Sequence, residues 1–367
     1  KAEILLKRND PGWAPRVIYA GNDVFNAVTG PACMIAMERL NQVFANGPLG
    51  GISILTAYKQ SDVNLAKFIS AGPQEGHIIE GDYSANDKEQ RKRVHLLFNR
   101  YLAVIKMPPW LITLHSKLNT FKVQSRAFGL QATLANQLPT GTTTTTVRNS
   151  LYNAVMFCVS MAAQRATGRA LVLGDDLLAK MNKRIDLQQW VSSVGRFKMR
   201  LKAKAPGFWG ESTFLSRRLI VDDVETPCMV PLLGKAIARF NARGTWRADK
   251  THSQYMAGKS LSYAYEFRHV PFMRDFFLDR YAMEDDSMLS LDDLTWHAKT
   301  SGVDIANVAD SILNEEVLVS DETFRDWVME VYDLGLVDLG SICELVLLSD
   351  EPSIVDHPAV VNLSKDW

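Results

Sequence analysis

The stretch that most limits what this chain can fold into is residues 170–179. Ala170-Leu171-Val172-Leu173 and Leu177-Leu178-Ala179 are apolar runs of strand length, and only Gly174, Asp175 and Asp176 stand between them. So short a connection admits a tight hairpin, and glycine supplies the backbone freedom that the turn needs. Two adjacent carboxylates are then held at the edge of a core. Charge taken out of water is costly unless it is paired or binds a metal. Gly-Asp-Asp alone is an ordinary turn sequence; its apolar flanks give it weight.

A second acidic pair lies upstream. Residues 77–81 (HIIEG) form a short apolar strand, Asp82 ends it, and Asp87 follows five positions on. Asp87 opens a helix running to Lys106, in which Val94, Leu97, Phe98, Tyr101, Leu102 and Ile105 recur at helical spacing. A plain helix cap is the alternative role for Asp87. Mg²⁺ takes hard oxygen ligands, usually one or two carboxylates with substrate phosphates. Two-metal phosphoryl transfer needs carboxylates that bridge ions about 4 Å apart. Carboxylates on two adjacent strands meet that need, whereas a run along one helix usually does not.

Between the pairs, the loop from Leu138 to Ser150 carries small polar side chains into a helix that runs from Thr142 to about Ala166. Gly141 lets the backbone approach a ligand closely. Asn149, within the helix, can donate and accept, which suits the reading of a ribose 2′-OH. Alternatively the threonines cap the helix and Asn149 is merely exposed.

The remaining elements complete an α+β pattern with an antiparallel sheet. Arg16 to Tyr19 reads as a strand, Pro31 to Ala45 as a helix and residues 119–134 as a hairpin. Residues 187–194 look helical. From Phe197 to Ala203 the period is two, with Lys198, Arg200, Lys202 and Lys204 on a basic outer face. That face suits a polyanion, or else it is a solvated edge guarded against aggregation. After Pro231 the chain reads almost entirely helical.

The net charge of zero hides a split. Residues 1–250 hold 34 Lys+Arg against 18 Asp+Glu, a balance of +16; residues 251–367 hold 7 against 23, a balance of −16. A basic excess on one half is the footprint of a polyanion-binding surface. The acidic half suggests an outer surface or a tail that faces a partner. With 367 residues, 47% of them apolar, the chain can bury a core in two or three subdivisions. Cys33, Cys158, Cys228 and Cys343 form no CxxC pair, and are expected as buried thiols in a reducing compartment. No apolar run approaches the length of a membrane span and no signal peptide is visible. The chain opens on Lys1, so we read it as a piece of something longer; any membrane attachment is expected through a missing segment.

Taken together, these segments resemble the viral RNA-dependent RNA polymerases of positive-strand RNA viruses. The family's first palm motif matches Asp82-Tyr83-Ser84-Ala85-Asn86-Asp87. Its second matches Thr140-Gly141, Thr145 and Asn149, with Thr140 in place of the commoner serine. Its third matches Gly174-Asp175-Asp176. Phe214-Leu215-Ser216-Arg217 is similar to the primer-supporting signature, and Ala14-Pro15-Arg16-Val17-Ile18 looks like the basic fingers motif. The Pro-Arg-Val-Ile element and Met256-Ala257-Gly258-Lys259-Ser260 incline the likeness to the nodavirus or tombusvirus side.

The resemblance implies a right-hand polymerase. Its fingers would be residues 1–76 and 109–139, its palm 77–108 and 140–228, and its helical thumb with the acidic C-terminal region 229–367. It implies template-directed RNA synthesis for viral genome replication, with Mg²⁺ as a pair of ions for which Mn²⁺ substitutes. Asp82, Asp175 and Asp176 would bind metal. Lys204, or Lys202 in competition with it, would be the general acid. Lys7, Arg8 and Arg16 would grip the triphosphate, with Asp87, Gly141, Thr145 and Asn149 at the nucleotide. Lys198, Lys202 and Arg217 would contact RNA. Expected partners are template and product RNA, NTPs, and other replicase domains or further copies of the chain. The expected location is host cytoplasm at membrane-associated replication complexes. A reverse transcriptase-like polymerase and a non-catalytic RNA-binding scaffold are the alternatives. A bulky residue at position 87 would favour the former, and decayed metal carboxylates the latter.

Overall fold

The computed structural model describes residues 23–47, 49–84, 86, 90, 92–117, 119–125, 129–138, 141–221, 226–241, 251–287, 289–290, 293–294, 308–348 and 357–366. These fall into two compact units. One comprises residues 23–208 with Ser212–Leu215; the other comprises Trp209–Glu211 with residues 216–366.

The first unit is built on a five-stranded sheet. In chain order its elements are α1 (Asp23–Phe44), β1 (Ile52–Thr56), α2 (Asp62–Ser70), β2 (His77–Tyr83), α3 (Lys92–Val104), α4 (Pro109–Lys117), β3 (Thr120–Ser125) and β4 (Leu130–Ala135). They continue with α5 (Thr144–Ala163), β5 (Gly168–Leu173), β6 (Asp176–Met181), α6 (Leu187–Gly195) and β7 (Leu201–Lys204). The sheet order is β1-β5-β6-β2-β7, while β3 and β4 form a separate hairpin. All neighbours in the sheet are antiparallel except β1 and β5, which run parallel. The expected antiparallel sheet is thus present in three of its four pairings, with β1 added in parallel at one edge.

Alternation along the strands sorts the side chains. Ile79 and Tyr83 of β2, Ala170 and Val172 of β5, Leu177 and Ala179 of β6, and Leu201 of β7 join one apolar core with α1, α3, α5 and α6. Asp82, Glu80, Lys202 and Lys204 alternate with these residues and so lie on the opposite face. On β2, an interior strand of the sheet, the chain leaves no room for a side chain at Gly81. A Cβ there would stand 2.8 Å from Cη2 of the fully buried Trp190.

Several boundaries differ from those expected, and one strand is new. α1 begins well before Pro31, which lies inside it. Proline there removes one intrahelical hydrogen bond, and the buried stripe of Cys33, Ala36, Met37 and Leu40 holds the helix against the core despite that loss. The strand expected from Phe197 shortens to Leu201–Lys204. Lys198 instead closes a turn after α6, at φ +64° with its N–H donating to Gly195 O at 2.9 Å. β1 was not anticipated; its alternating burial hangs on β5, which is distant in sequence.

The second unit opens with a hairpin of β8 (Arg217–Ile220) and β9 (Cys228–Pro231). Helices follow: α7 (Leu233–Phe240), α8 (His252–Glu266), α9 (Pro271–Ala282), α10 (Val308–Leu313), α11 (Asp321–Tyr332) and α12 (Leu336–Leu348), then a 3₁₀ segment, Pro358–Asp366. Asp366 is buried. It pairs with Arg218, accepts from Gly234 N at 2.7 Å, and accepts from the Tyr332 hydroxyl at 3.1 Å. The Met256–Ser260 segment lies within α8, where Met256, Ala257, Gly258 and Ser260 are buried packing residues. All four cysteines are buried free thiols. Among the described residues no helix is long and apolar enough to cross a membrane.

Candidate active site

The 170–179 stretch folds as a hairpin, β5 to β6, with Leu173 paired to Asp176 across the turn. Gly174 sits at φ +64°, a conformation that a side chain resists. On the next ladder Gly81 pairs with Leu177, so one further step brings Asp82 level with Asp176. Asp82 is exposed, and Asp175 and Asp176 are half-buried. Asp82 and the Asp175-Asp176 pair, which the sequence places 93 residues apart, thus come to one end of one sheet.

Their mutual repulsion is visible on Asp176. Burial first, then the charges of Asp175 and Asp82, push its carboxyl up to about 6. The backbone N–H of Leu215 acts the other way, and Glu80 adds a smaller upward push. Such a cluster is all hard oxygen, the donor type that a divalent cation prefers. Among the described residues no three His, Cys, Asp or Glu side chains close around an ion by themselves.

β7 supplies the basic side. Asp82 is in register with Lys202, and Glu80 with Lys204. Glu80 is buried and fully engaged. Its carboxylate accepts from Thr213 N at 2.7 Å, from Thr213 Oγ1 at 3.1 Å and from Lys204 Nζ at 2.9 Å. The loop of Ser212–Leu215 is therefore tied to the same face of the sheet at two points, Glu80 and Asp176. It ends on Leu215 and Ser216 at φ +51° and +61°, two successive non-glycine residues in the left-handed region. Strain of this kind is held only where the surroundings over-determine it.

α5 lies beneath the hairpin tip. Ser150 Oγ accepts from Gly174 N at 2.8 Å. Asn153 Nδ2 faces three carbonyl oxygens, of Gly174 (3.3 Å), Asp175 (3.1 Å) and Asp176 (3.3 Å). Neither residue was anticipated. The signal was present, because both are polar residues at buried positions of a helix otherwise packed with Val147, Leu151, Tyr152 and Ala154.

The loop before α5 is held by α1. Asn26 Nδ2 donates to Gly141 O and its Oδ1 accepts from Thr143 N, both at 3.2 Å. Thr29 and Thr143 share a hydroxyl hydrogen bond of 2.6 Å. Gly141 has φ +82°, and the half-buried Thr145 bonds the Thr142 hydroxyl at 3.2 Å. Asn149 is buried, and its Oδ1 accepts from the fully buried Gln90 Nε2. The exposed Asn149 weighed as an alternative is excluded.

Two expected positions need correction. Arg217 is not displayed for a nucleic acid. It is 7% exposed and its guanidinium pairs with Glu266 of α8. Lys198 is exposed but lies in the turn after α6, off the basic strand. Lys7, Arg8, Arg16, Asp87 and Thr140 lie outside the described residues.

Residues 13–299, more than three quarters of the chain, match the family described as RNA dependent RNA polymerase. No curated protein sequence matches significantly. Among solved structures, the fold is similar to the RNA-dependent RNA polymerase of a human picorbirnavirus, with a TM-score of 0.60 at 16% identity over 82% of this chain. It is also similar to an insertion loop deletion mutant of that enzyme, with a TM-score of 0.61 at 15% identity over 85% of this chain. At such identity the likeness is one of fold. This chain spans 56% and 60% of the length of those two structures. The extent of the family match, over a sheet that gathers Asp82, Asp175 and Asp176, places this chain in the RNA-dependent RNA polymerase family.

Proposed function

We propose that this chain carries the polymerising centre of a viral replicase, extending an RNA 3′-OH with NTPs under the direction of an RNA template. The observation that carries this reading is the meeting of Asp82 with Asp175 and Asp176 at one end of a sheet. Family membership supplies the reaction. The first unit would be palm and fingers, and the second the thumb, with their boundary at Ser216 instead of 229.

In this reading Asp82 and Asp175 hold a pair of Mg²⁺ ions, and Asp176 is an outer or alternative ligand. The ions when bound lower the pKa of the attacking hydroxyl and neutralise the triphosphate. Asp87 and Asn149 read the ribose 2′-OH, and Gln90 holds the Asn149 carbonyl so that its amide donor is presented. The proton for departing pyrophosphate comes from β7. Lys202 stands level with Asp82, whereas Lys204 Nζ is held by Glu80. We therefore move the general-acid role from Lys204 to Lys202.

Primed RNA templates, with NTPs and dNTPs offered separately in Mg²⁺, test the reading. Elongation with NTPs, and incorporation of dNTPs weaker by at least about a hundredfold, is expected. Equal use of both, or RNA binding with no synthesis in any metal, would overturn it.

A further inference from the structure

The side chains of Asp175 and Asp176 have no covalent reason to point where they do. Asp175 lies in the two-residue turn and Asp176 opens β6 opposite Leu173, and a turn with one glycine at positive φ has several accessible shapes. Something must choose among them. The choice comes from below, from α5, and the contacts are specific.

Asn153 is 1% exposed. An amide flanked by three backbone carbonyls can only present its nitrogen to them, since its oxygen would repel all three. Two N–H groups thus serve the oxygens of Gly174, Asp175 and Asp176, with distances of 3.1 to 3.3 Å. Three successive carbonyls held from one side chain fix the backbone that carries the two carboxylates. Ser150, one helical turn before Asn153, holds a fourth backbone group, the Gly174 N–H, at 2.8 Å. Four of the six backbone polar groups from Gly174 N to Asp176 O are thus held by these two side chains.

We propose that Asn153 and Ser150 are positioning residues for the carboxylate hairpin. By holding its backbone from α5 they set the direction of Asp175 and Asp176, and so set the affinity of the centre for divalent cations. The inference rests on the metal-binding role assigned above. Neither residue touches the metal or the nucleotide; both act through the turn. Outer groups that orient ligands typically matter by about 10–100-fold in affinity or activity.

The test uses the whole chain with Mn²⁺ as the probe, in the absence of nucleotide. Mn²⁺ binding is read by electron paramagnetic resonance of the free ion, and amide hydrogen exchange is read over residues 173–177. Asn153→Asp keeps the shape and removes both N–H donors, and the neutral Ser150→Ala controls for the charge that the new carboxyl brings. Binding weaker by about tenfold or more is expected, with faster exchange at Gly174 to Asp176 and a parallel rise in the Mg²⁺ needed for half-maximal nucleotide addition. At saturating metal the KM for NTP should be unchanged. Asn153→Gln should restore part of the affinity, because an amide is returned.

If Asn153→Asp does not fold, Ser150→Ala gives the same reading. It should speed exchange at the Gly174 amide and weaken Mn²⁺ binding by a smaller factor. Mn²⁺ affinity and exchange equal to wild type in whichever of the two variants folds would overturn the proposal. Asp175→Ala is the control for the underlying reading. If that variant also binds Mn²⁺ as wild type does, the metal-centre assignment itself has failed. If it loses Mn²⁺ while the α5 variants keep it, only the role of α5 has failed.

Discussion

Asp176 shows at the scale of one residue what a charge-gathering site costs the fold. Its carboxyl ionises at about 6, against an ordinary value of 3.8. Between those values the unfolded chain binds fewer protons than the folded one, so stability falls as pH rises. The favourable contribution is complete below about pH 4 and is lost once pH passes through about 6. Asp176→Asn removes that cost. In metal-free buffer at pH 8 it should raise the melting temperature by roughly 2–8 °C and flatten the dependence of stability on pH between 4 and 7. Calorimetry in chelator checks this, and an unchanged or lower melting temperature would refute the electrostatic account. Two lysines separate at the same scale. Lys202→Met should slow nucleotide addition by about a hundredfold and remove the basic limb of the pH–rate profile. Lys204→Met should cost less than about tenfold and keep that limb, because its Nζ is engaged by Glu80. Reversed outcomes would return the role to Lys204.

Single elements were legible where local pattern and long-range pairing agreed. The 170–179 hairpin was readable because the apolar runs and the glycine all demanded it. β2 ran two residues past its expected end, to Tyr83, because its neighbours continue the ladder. β1 escaped notice because its partner β5 lies more than a hundred residues away in sequence. The basic strand was overdrawn because period two continues through Phe197 and Met199, although Lys198 takes a left-handed turn that no alternation reveals. Gly81 is the element-scale test. It lets Trp190 of α6 lie against β2 one residue before Asp82, and Cδ1 of Leu201 is 3.3 Å from where a Cβ would stand. Gly81→Ala should destabilise the protein by about 1–3 kcal/mol, as overpacking does. Urea unfolding measures it, and a loss below about 0.5 kcal/mol would mean that Trp190 can move aside without cost.

For the whole molecule, the charge split foretold less than it suggested. The division into units falls near residue 216, not near 250. Part of the acidic excess is internal, since Glu266, Glu284 and Asp366 pair with the buried Arg217, Arg280 and Arg218. The position of Arg217 in a motif could not reveal this, because Glu266 lies 49 residues further on. The carboxylate centre was legible as a set of residue types in order. The helix that aims it was not: the polar character of Ser150 and Asn153 among apolar neighbours was visible, but their partners are backbone atoms, which a sequence does not name. The central claim is that these carboxylates carry nucleotidyl transfer. Template-directed NTP incorporation by Asp175→Ala, with its fold verified by circular dichroism, tests that most directly. The account predicts a loss of at least about a thousandfold in Mg²⁺; incorporation within about twofold of wild type would contradict it.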